Sequence, residues 1–338
     1  MAPKVTIIIV NWNGEEVFPD CLKSLQELTY PNWELVVVDN GSLDGSENLV
    51  SNHNLKFKEY ILIKNSKNLG FAPANNQGVK KSTGEYILLL NNDTKVTPDF
   101  LSIMVEKMER DRQIGAMQPK IYLLDLPGFL DNTGAYLTRS GFLQHWGFKK
   151  KDGGGFDKER LIFSAKGACL LTRKSLVDKI GLFDNDFGSY FEETDFCFRV
   201  WLAGFKVLYY PKANIFHKLG ATSKKMNQHF VNYHSFKNRI LSLFKNLDGP
   251  HLITILLPHL LIVTGLGFYY LIKLEFRKSW MIFKAILWNL INILNSFSKR
   301  MEVQRLRKVA DDDIFPFIME DVKLTQMFAH FKKVEANF

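Results

Sequence analysis

The sequence predicts an α/β protein built on a mostly parallel sheet flanked by helices, with apolar helices added toward the C-terminal end. Three observations carry that prediction. β-Branched apolar runs alternate with segments of helical period, polar residues gather where those runs stop, and two long apolar stretches follow residue 250 of the 338.

Residues 5–10 (VTIIIV) form the first strand; the run is too short and too β-branched for a secretory leader. Residues 17–28 have helical spacing, with Leu22, Leu25 and Leu28 on one face. Three further strands are residues 34–40 (ELVVVDN, entered through Tyr30-Pro31), 60–65 (YILIKN) and 86–92 (YILLLNN). Each is apolar on both faces, as burial between helical layers requires. Thr97-Pro98 supplies an N-cap and an N1 proline for a helix reaching about Arg110. From 114 to 163 the pattern is short and mixed, with GAYLTRSGFLQHWGF alternating as a hairpin and Gly153 to Gly155 reading as a flexible linker. Residues 167–172 (GACLLT) resume a strand. Residues 194–203 form a helix with Phe196, Val200 and Ala203 on one face and Gly204 as its C′ residue. The strand KVLYYP follows, then a short extended piece ending at His217.

A net charge of +9 favours anionic partners. Nucleic acid is not one of them, because the basic residues follow apolar helices instead of interleaving with exposed aromatics. The three cysteines, Cys21, Cys169 and Cys197, are far apart and form no C-x-x-C pair, which fits a reduced cytoplasmic compartment. Neither a G-x-G-x-x-G dinucleotide fingerprint nor a P-loop occurs. Asn11, Asn13, Asp39, Asn40, Asn65 and the run Asn91-Asn92-Asp93 instead sit at strand exits, where open α/β sheets hold their ligands. Glu192, Glu193 and Asp195 stand at the start of a helix, where acids are ordinary dipole chemistry when taken alone.

Taken in order, TIIIVNWNG, VVVDNGSLDGS, NLGFAPANNQG, LLLNNDT, FEETDFCFR and a final FH resemble the inverting family 2 glycosyltransferases of GT-A fold, most of all rhamnosyltransferase-type members, over residues 5–223. The resemblance implies a UDP- or dTDP-sugar donor. Val10, Asn11, Trp12, Asn13 and Asp39 would hold its base and ribose, and Asn68 and Asn75 would lie along the nucleotide. Asn91, Asn92 and Asp93 stand where the family has its D-x-D motif, with only the last position acidic. Asp93 and His217 would ligate a divalent metal, Mn²⁺ or Mg²⁺, and the imidazole tilts the choice toward Mn²⁺. Glu193 stands at the position of the general base, with Asp195 and Glu192 as alternatives. Glu in place of the usual Asp moves that carboxylate by about 1 Å, in chemistry that needs contacts of ~3 Å. Acceptor contacts are expected from residues 142–167, with Trp146 as a sugar-stacking candidate.

The chain divides on this reading into a transferase region, residues 1–230, and a C-terminal helical, membrane-associating region, residues 231–338. Residues 252–272 carry no formal charge across 21 positions, long enough to cross a bilayer, although Pro258 and His259 interrupt them. A second apolar stretch covers 280–297. Basic clusters flank both, at Lys237, Arg239 and Lys245, at Lys273, Arg277 and Lys278, and in SKRMEVQRLRKV. A preference for keeping all of them on one side points to helices that dip into or lie on the membrane, peripheral or monotopic at its cytoplasmic face. The bland alternative is a buried helical hairpin. A membrane surface suits a glycan or lipid-linked acceptor. The competing function is a catalytically inactive, membrane-attached nucleotide-sugar-binding protein.

Overall fold

The computed structural model describes residues 2–51, 57–220 and 228–321; the end of the resembling stretch, residues 221–223, and the tail 322–338 lie outside the described residues. The chain runs β1 (Val5–Asn11), α1 (Phe18–Gln26), β2 (Trp33–Asp39), β3 (Tyr60–Lys64), α2 (Phe71–Lys81), β4 (Tyr86–Leu90), β5 (Thr94–Val96) and α3 (Phe100–Arg110). It continues through β6 (Ile114–Leu123), β7 (Leu130–Asn132), β8 (Ala135–Leu137), β9 (Leu143–His145), β10 (Arg160–Leu161), β11 (Cys169–Arg173), α4 (Lys174–Ile180), α5 (Glu192–Leu202), β12 (Lys206–His217) and α6 (Gln228–Asn246).

The central sheet has the order β10-β12-β6-β11-β4-β1-β2-β3. β4, β1, β2 and β3 are mutually parallel, β6 and β12 are parallel, and β11 runs antiparallel between β4 and β6. Alternation along the strands splits the core in two. Ile7, Ile9, Leu35, Val37 and Leu88 pack with Phe18, Leu22 and Leu25 of α1 and with Phe100 and Met104 of α3. On the other face Ile8, Val36, Val38, Ile87 and Leu89 pack with Ala72, Ala74, Leu176, Phe196 and Val200. In-register pairing sets Asn11 against Asp39, so the polar strand exits lie side by side.

Several local expectations change. β3 is the sheet edge, and Tyr60 and Ile61 are exposed, because a strand with one neighbour is not sandwiched as the inner strands are. α3 is preceded by Asp99, not Thr97, whose hydroxyl instead donates to the Asn214 carbonyl at 3.2 Å and ties β5 to β12. α5 begins at Glu192, two residues earlier than the apolar spacing indicates. β12 is one long strand with a bulge between Tyr210 and Asn214 instead of two pieces. The glycine triplet is no free linker: Gly154–Asp157 is a 3₁₀ turn, and buried Lys120 holds Asp152 at 3.0 Å and Asp157 at 2.6 Å on its two sides. The hairpin forms as read, β8 against β9.

Beyond α6 a 24-residue helix, Gly249–Ile272, is apolar enough to cross a membrane, with only 28% of its most apolar window buried. Its first turns take π geometry over Leu252–Leu256, ahead of Pro258, where the helix cannot keep its regular bond. The second apolar stretch is two helices, Phe276–Ile291 and Ile293–Leu306, bent by 70° at Asn292.

Candidate functional site

The β1 exit is organised by Asn11. Its amide donates to Asp39 Oδ1 at 3.1 Å and to Ser46 Oγ at 2.8 Å, while its oxygen accepts from Asn92 Nδ2 at 2.8 Å. Three strand ends are thereby locked together, with Asn11 fully buried. Asp39 also accepts from the Ser42 hydroxyl at 2.6 Å and the Ser42 amide at 3.1 Å, which closes the loop after β2. Asn13, at φ 50°, accepts from the Leu43 amide at 2.8 Å. Val10 and Trp12 lie half-buried beside them. Asn68 accepts from Asn40 Nδ2 at 2.9 Å, and its loop leads into α2. Asn75 is buried in α2 and donates to its own helix at the Phe71 carbonyl, 2.9 Å away.

At the β4 exit Asp93 is buried, and its Oδ1 lies 3.1 Å from His217 Nε2 while accepting no hydrogen bond. β5 pairs with the end of β12, which brings the two residues together across 124 positions of chain (217 minus 93). The other ring nitrogen of His217 meets Asp131 Oδ2 at 2.8 Å, and Asp131 in turn holds Lys166 Nζ at 2.6 Å. Burial works against the imidazolium, but the charges of Asp93 and Asp131 outweigh it and raise His217 to about 9. Burial also opposes the charge on Asp131, yet Lys166 and His217 hold its carboxyl well below the usual range. A buried carboxylate oxygen facing an imidazole nitrogen is a donor set that would suit a divalent cation of borderline softness, provided that the Nε2 proton leaves when the cation binds. The Asn91 side-chain oxygen, buried and likewise without a partner, sits two residues away.

The third group is the start of α5. Burial pushes up both Glu192, helped by the charge of Glu193, and Glu193. Each keeps one carboxylate oxygen, Oε2, buried and without a partner. The backbone N–H of Gly167 serves the Glu193 carboxylate, and a Cβ added at Gly167 would meet that carboxyl at 3.8 Å and the Phe71 ring at 3.7 Å. Asp195 is placed differently. It is fully buried and bonded to Arg199 Nε at 3.0 Å, Asn246 Nδ2 at 2.8 Å and Lys245 Nζ at 3.3 Å, so it ties α5 to α6. Trp146 does not offer an open face: its ring packs against Phe156 at 4.9 Å, Tyr209 at 5.7 Å and the Arg160 guanidinium at 4.5 Å.

Sequence reasoning passed over Gly14, Ser42, Ser46, Asp131 and Lys166. Ser42 and Ser46 lie inside the quoted VVVDNGSLDGS motif, where a serine-rich turn after a carboxylate is a legible signal. Gly14 is set by contact alone, since a Cβ there would stand 2.2 Å from Asn11 Oδ1 and 2.5 Å from Asn92 Nδ2. Asp131 and Lys166 have no local sequence signal; only the sheet brings them to His217.

A profile described as Glycosyl transferase family 2 matches residues 6–181. Poly-beta-1,6-N-acetyl-D-glucosamine synthase of Staphylococcus aureus is 25% identical over 214 residues, covering 62% of this chain and 48% of that protein. The chain spans between a quarter and about half of the length of the curated relatives first matched. Among solved structures, S. aureus TarS 1-349 superposes with a TM-score of 0.56 at 17% identity, covering 90% of this chain and 82% of that one. It has also been crystallised with UDP-GlcNAc. The mannosyltransferase PcManGT of Pyrobaculum calidifontis, in complex with GDP-Man and Mn²⁺, superposes with a TM-score of 0.53 at 17% identity, over 86% of this chain and 88% of that one. These likenesses give the GT-A fold.

Proposed function

This chain belongs to glycosyl transferase family 2, and on that premise we propose that it is an inverting, metal-dependent glycosyltransferase moving a sugar from a UDP- or dTDP-sugar to a hydroxyl of a glycan or lipid-linked acceptor, with Glu193 as the general base. The observation that carries this reading is the pair Lys166-Gly167. Lys166 binds Asp131, the partner of His217, while the Gly167 N–H serves Glu193, so adjacent residues fix the donor and base groups against one another.

In this reading Asp39, with Asn11, Asn13 and Ser42 around it, receives the ribose and base, beside Val10, Trp12, Asn68 and Asn75. Asp93 and His217, flanked by Asn91 and Asn92, hold the cation, which supplies neutralising charge to the departing diphosphate. Asp131 fixes the His217 ring so that Nε2 faces Asp93. Glu193 takes the acceptor proton through its unpartnered Oε2, and its raised pKa matches it to a hydroxyl better than an exposed glutamate would be. Attack from the face opposite the leaving group inverts the anomeric centre. Glu192, pushed up by burial and by the charge of Glu193, stands beside the base, and Asp195 positions α5. An inactive binding protein would gain nothing from burying an unpaired carboxylate pair, which costs stability.

We also propose that residues 1–230 form the transferase unit and that 231–338 attach it to the cytoplasmic face of a membrane. The relatives' ligands, UDP-GlcNAc for TarS and GDP-Man with Mn²⁺ for PcManGT, support a nucleotide-sugar donor and a divalent ion. Calorimetric titration of the detergent-solubilised chain with UDP and with TDP, each with and without Mn²⁺, tests the reading. One nucleotide should bind only with metal, and Asp93→Ala should abolish that binding. Folded protein that binds neither nucleotide would sink the proposal.

A further inference from the structure

Arg239 of α6 is more than nine-tenths buried, and two of its guanidinium nitrogens, Nε and Nη1, have no hydrogen-bond partner. Among the described residues no carboxylate pairs with it. This sets it apart from the other buried cations of the region: Lys245 holds Asp184 and Asp195, and Lys237 donates to the Asp186 carbonyl. The surroundings of Arg239 are aromatic, with the rings of Phe142 at 4.8 Å, Phe191 at 5.4 Å and Phe236 at 6.0 Å. Ring faces offset part of the cost of removing a guanidinium from water, but they leave the Nε and Nη1 donors unused. A second nitrogen nearby is in the same state. His259, fully buried in the Gly249–Ile272 helix, contacts the Phe142 ring at 4.5 Å and faces the Ser140 carbonyl with Nδ1 at 2.9 Å, while its Nε2 has no partner.

The position of this pair in the fold narrows what it could hold. Phe191 is the residue before Glu192 and Glu193, and with Tyr190 it takes a left-handed conformation at φ 74° and 71°. Asn238, next to Arg239, secures that strained turn by donating to the carbonyls of Phe187, Ser189 and Tyr190. Phe142 belongs to the turn between β8 and β9, whose Gly141 packs on Leu243 and His259. The cluster therefore joins the base helix, the hairpin and the apolar helix, none of which supplies the donor residues at the exits of β1, β2 and β4. On the outer side the apolar helix exposes Ile253, Leu257 and Leu261 at 68, 49 and 66%.

We propose that Arg239, with His259, is the binding site for a phosphoryl group of the acceptor, and that this acceptor is an amphiphile whose apolar part lies along the Gly249–Ile272 helix. The inference rests on the transferase reading above and names the chemistry of its second substrate. The Nε and Nη1 donors each suit a phosphoryl oxygen, and His259 Nε2 is free to accept from a hydroxyl on the same group. An unpaired buried cation gains more from an anion than a solvated one does, so selectivity for the charged head over the neutral alcohol follows.

The test uses the full chain in detergent, with farnesyl phosphate, farnesol and inorganic phosphate as probes and UDP with Mn²⁺ titrated into the same samples. The wild-type chain should bind farnesyl phosphate at least tenfold more tightly than farnesol. Arg239→Met should erase that preference with UDP affinity unchanged, and Arg239→Lys, which keeps charge but loses the Nε and Nη1 donors, should retain only a few-fold preference. Equal binding of the two farnesyl probes by the wild type, or an undiminished preference in the variants, overturns the site. Displacement of farnesyl phosphate by an equal concentration of inorganic phosphate overturns the amphiphile and points to a soluble phosphorylated acceptor. Should Arg239→Met not fold, the wild-type comparison and Arg239→Lys still decide. Failure of UDP binding in the wild type would sink the transferase reading separately, because the phosphate preference is read without the donor.

Discussion

At the scale of single residues the proposed chemistry separates groups that look alike in sequence. Three acids open α5, yet Glu192 and Glu193 each keep an unpartnered buried oxygen whereas Asp195 is saturated by Arg199, Lys245 and Asn246. Glu193→Gln should lower kcat by about 10²–10⁴-fold and leave nucleotide affinity intact, as read by steady-state kinetics and calorimetry. Burial, then the charge of Glu193, raises Glu192, and burial raises Glu193. The base works ionised, so activity should fall as pH drops through a value above that of an ordinary glutamate. The Glu193 charge acts on Glu192 and not the reverse, so Glu192 is neutral while Glu193 titrates, and Glu192→Gln, its neutral isostere, should leave that acid limb in place. A limb moved to lower pH would mean that Glu192 carries charge while Glu193 titrates. Asp131→Asn leaves the His217 ring without its anionic partner. Mn²⁺ affinity should drop by about 10–100-fold in a metal titration, with the fold retained by far-UV circular dichroism.

Elements matter here through how they are fastened. α5 and the loop before it are clamped to the C-terminal helices by charge: Lys245 reaches Asp184 at 2.8 Å and Asp195 at 3.3 Å, and Lys299 reaches Asp184 at 2.5 Å and Asp186 at 2.6 Å. The same loop touches the start of α2, on the proposed nucleotide side, since the Phe71 amide donates to Ser189 Oγ at 3.1 Å and the Ala72 amide to the Gly188 carbonyl at 2.8 Å. Lys245→Met leaves Asp195 with one cation fewer inside the protein and should cost about 3–5 kcal/mol in denaturant unfolding. For Asp195 burial acts to raise the pKa, but Lys245 and Arg199 prevail and hold it low. Its contribution is thus present above the unfolded-state value and lost as pH falls toward the folded one, so the variant's stability should decline less steeply with acid than the wild type's. Gly14→Ala, which drives a Cβ into the Asn11–Asn92 hydrogen bond, should cost about 1–3 kcal/mol by the same measurement and weaken UDP binding. The first four strands, the hairpin and the strand-exit amides were legible in sequence, because β-branched apolar runs and their abrupt polar ends are local signals, whereas the ten-residue strand β6 lay in a stretch read as short and mixed. The Asp131–His217–Lys166 chain and the start of α5 were not legible. The first depends on which distant strands pair, and the second on a left-handed Tyr190-Phe191 turn that no local propensity favours.

At the scale of the whole molecule the question is where the apolar surface of the C-terminal helices goes. Leu294, Ile272, Ile291 and Leu274 are 85, 80, 72 and 72% exposed, and Leu290 and Trp280 add to the same region. A soluble chain rarely leaves so many large apolar side chains in water. Lys273 follows the first apolar helix, Arg277 and Lys278 lie in the first turn of the next, and the chain as a whole carries a net charge of +9. Apolar insertion beside basic residues is the signature of attachment to an anionic lipid surface, where each basic group adds about 1 kcal/mol at low salt. The asymmetry between the two terms makes the reading testable by flotation with phosphatidylglycerol-containing vesicles. Raising salt should weaken binding only in part, because screening removes the charge contribution and leaves the apolar one. Ile291→Asp combined with Leu294→Asp should weaken it by at least about 10²-fold, since burying each such side chain is worth about 1.5–3 kcal/mol, while the distant UDP site keeps its affinity. If the double variant floats as the wild type does, these helices face protein instead of lipid, and size-exclusion chromatography with light scattering should then show the chain as an oligomer that the substitutions dissociate.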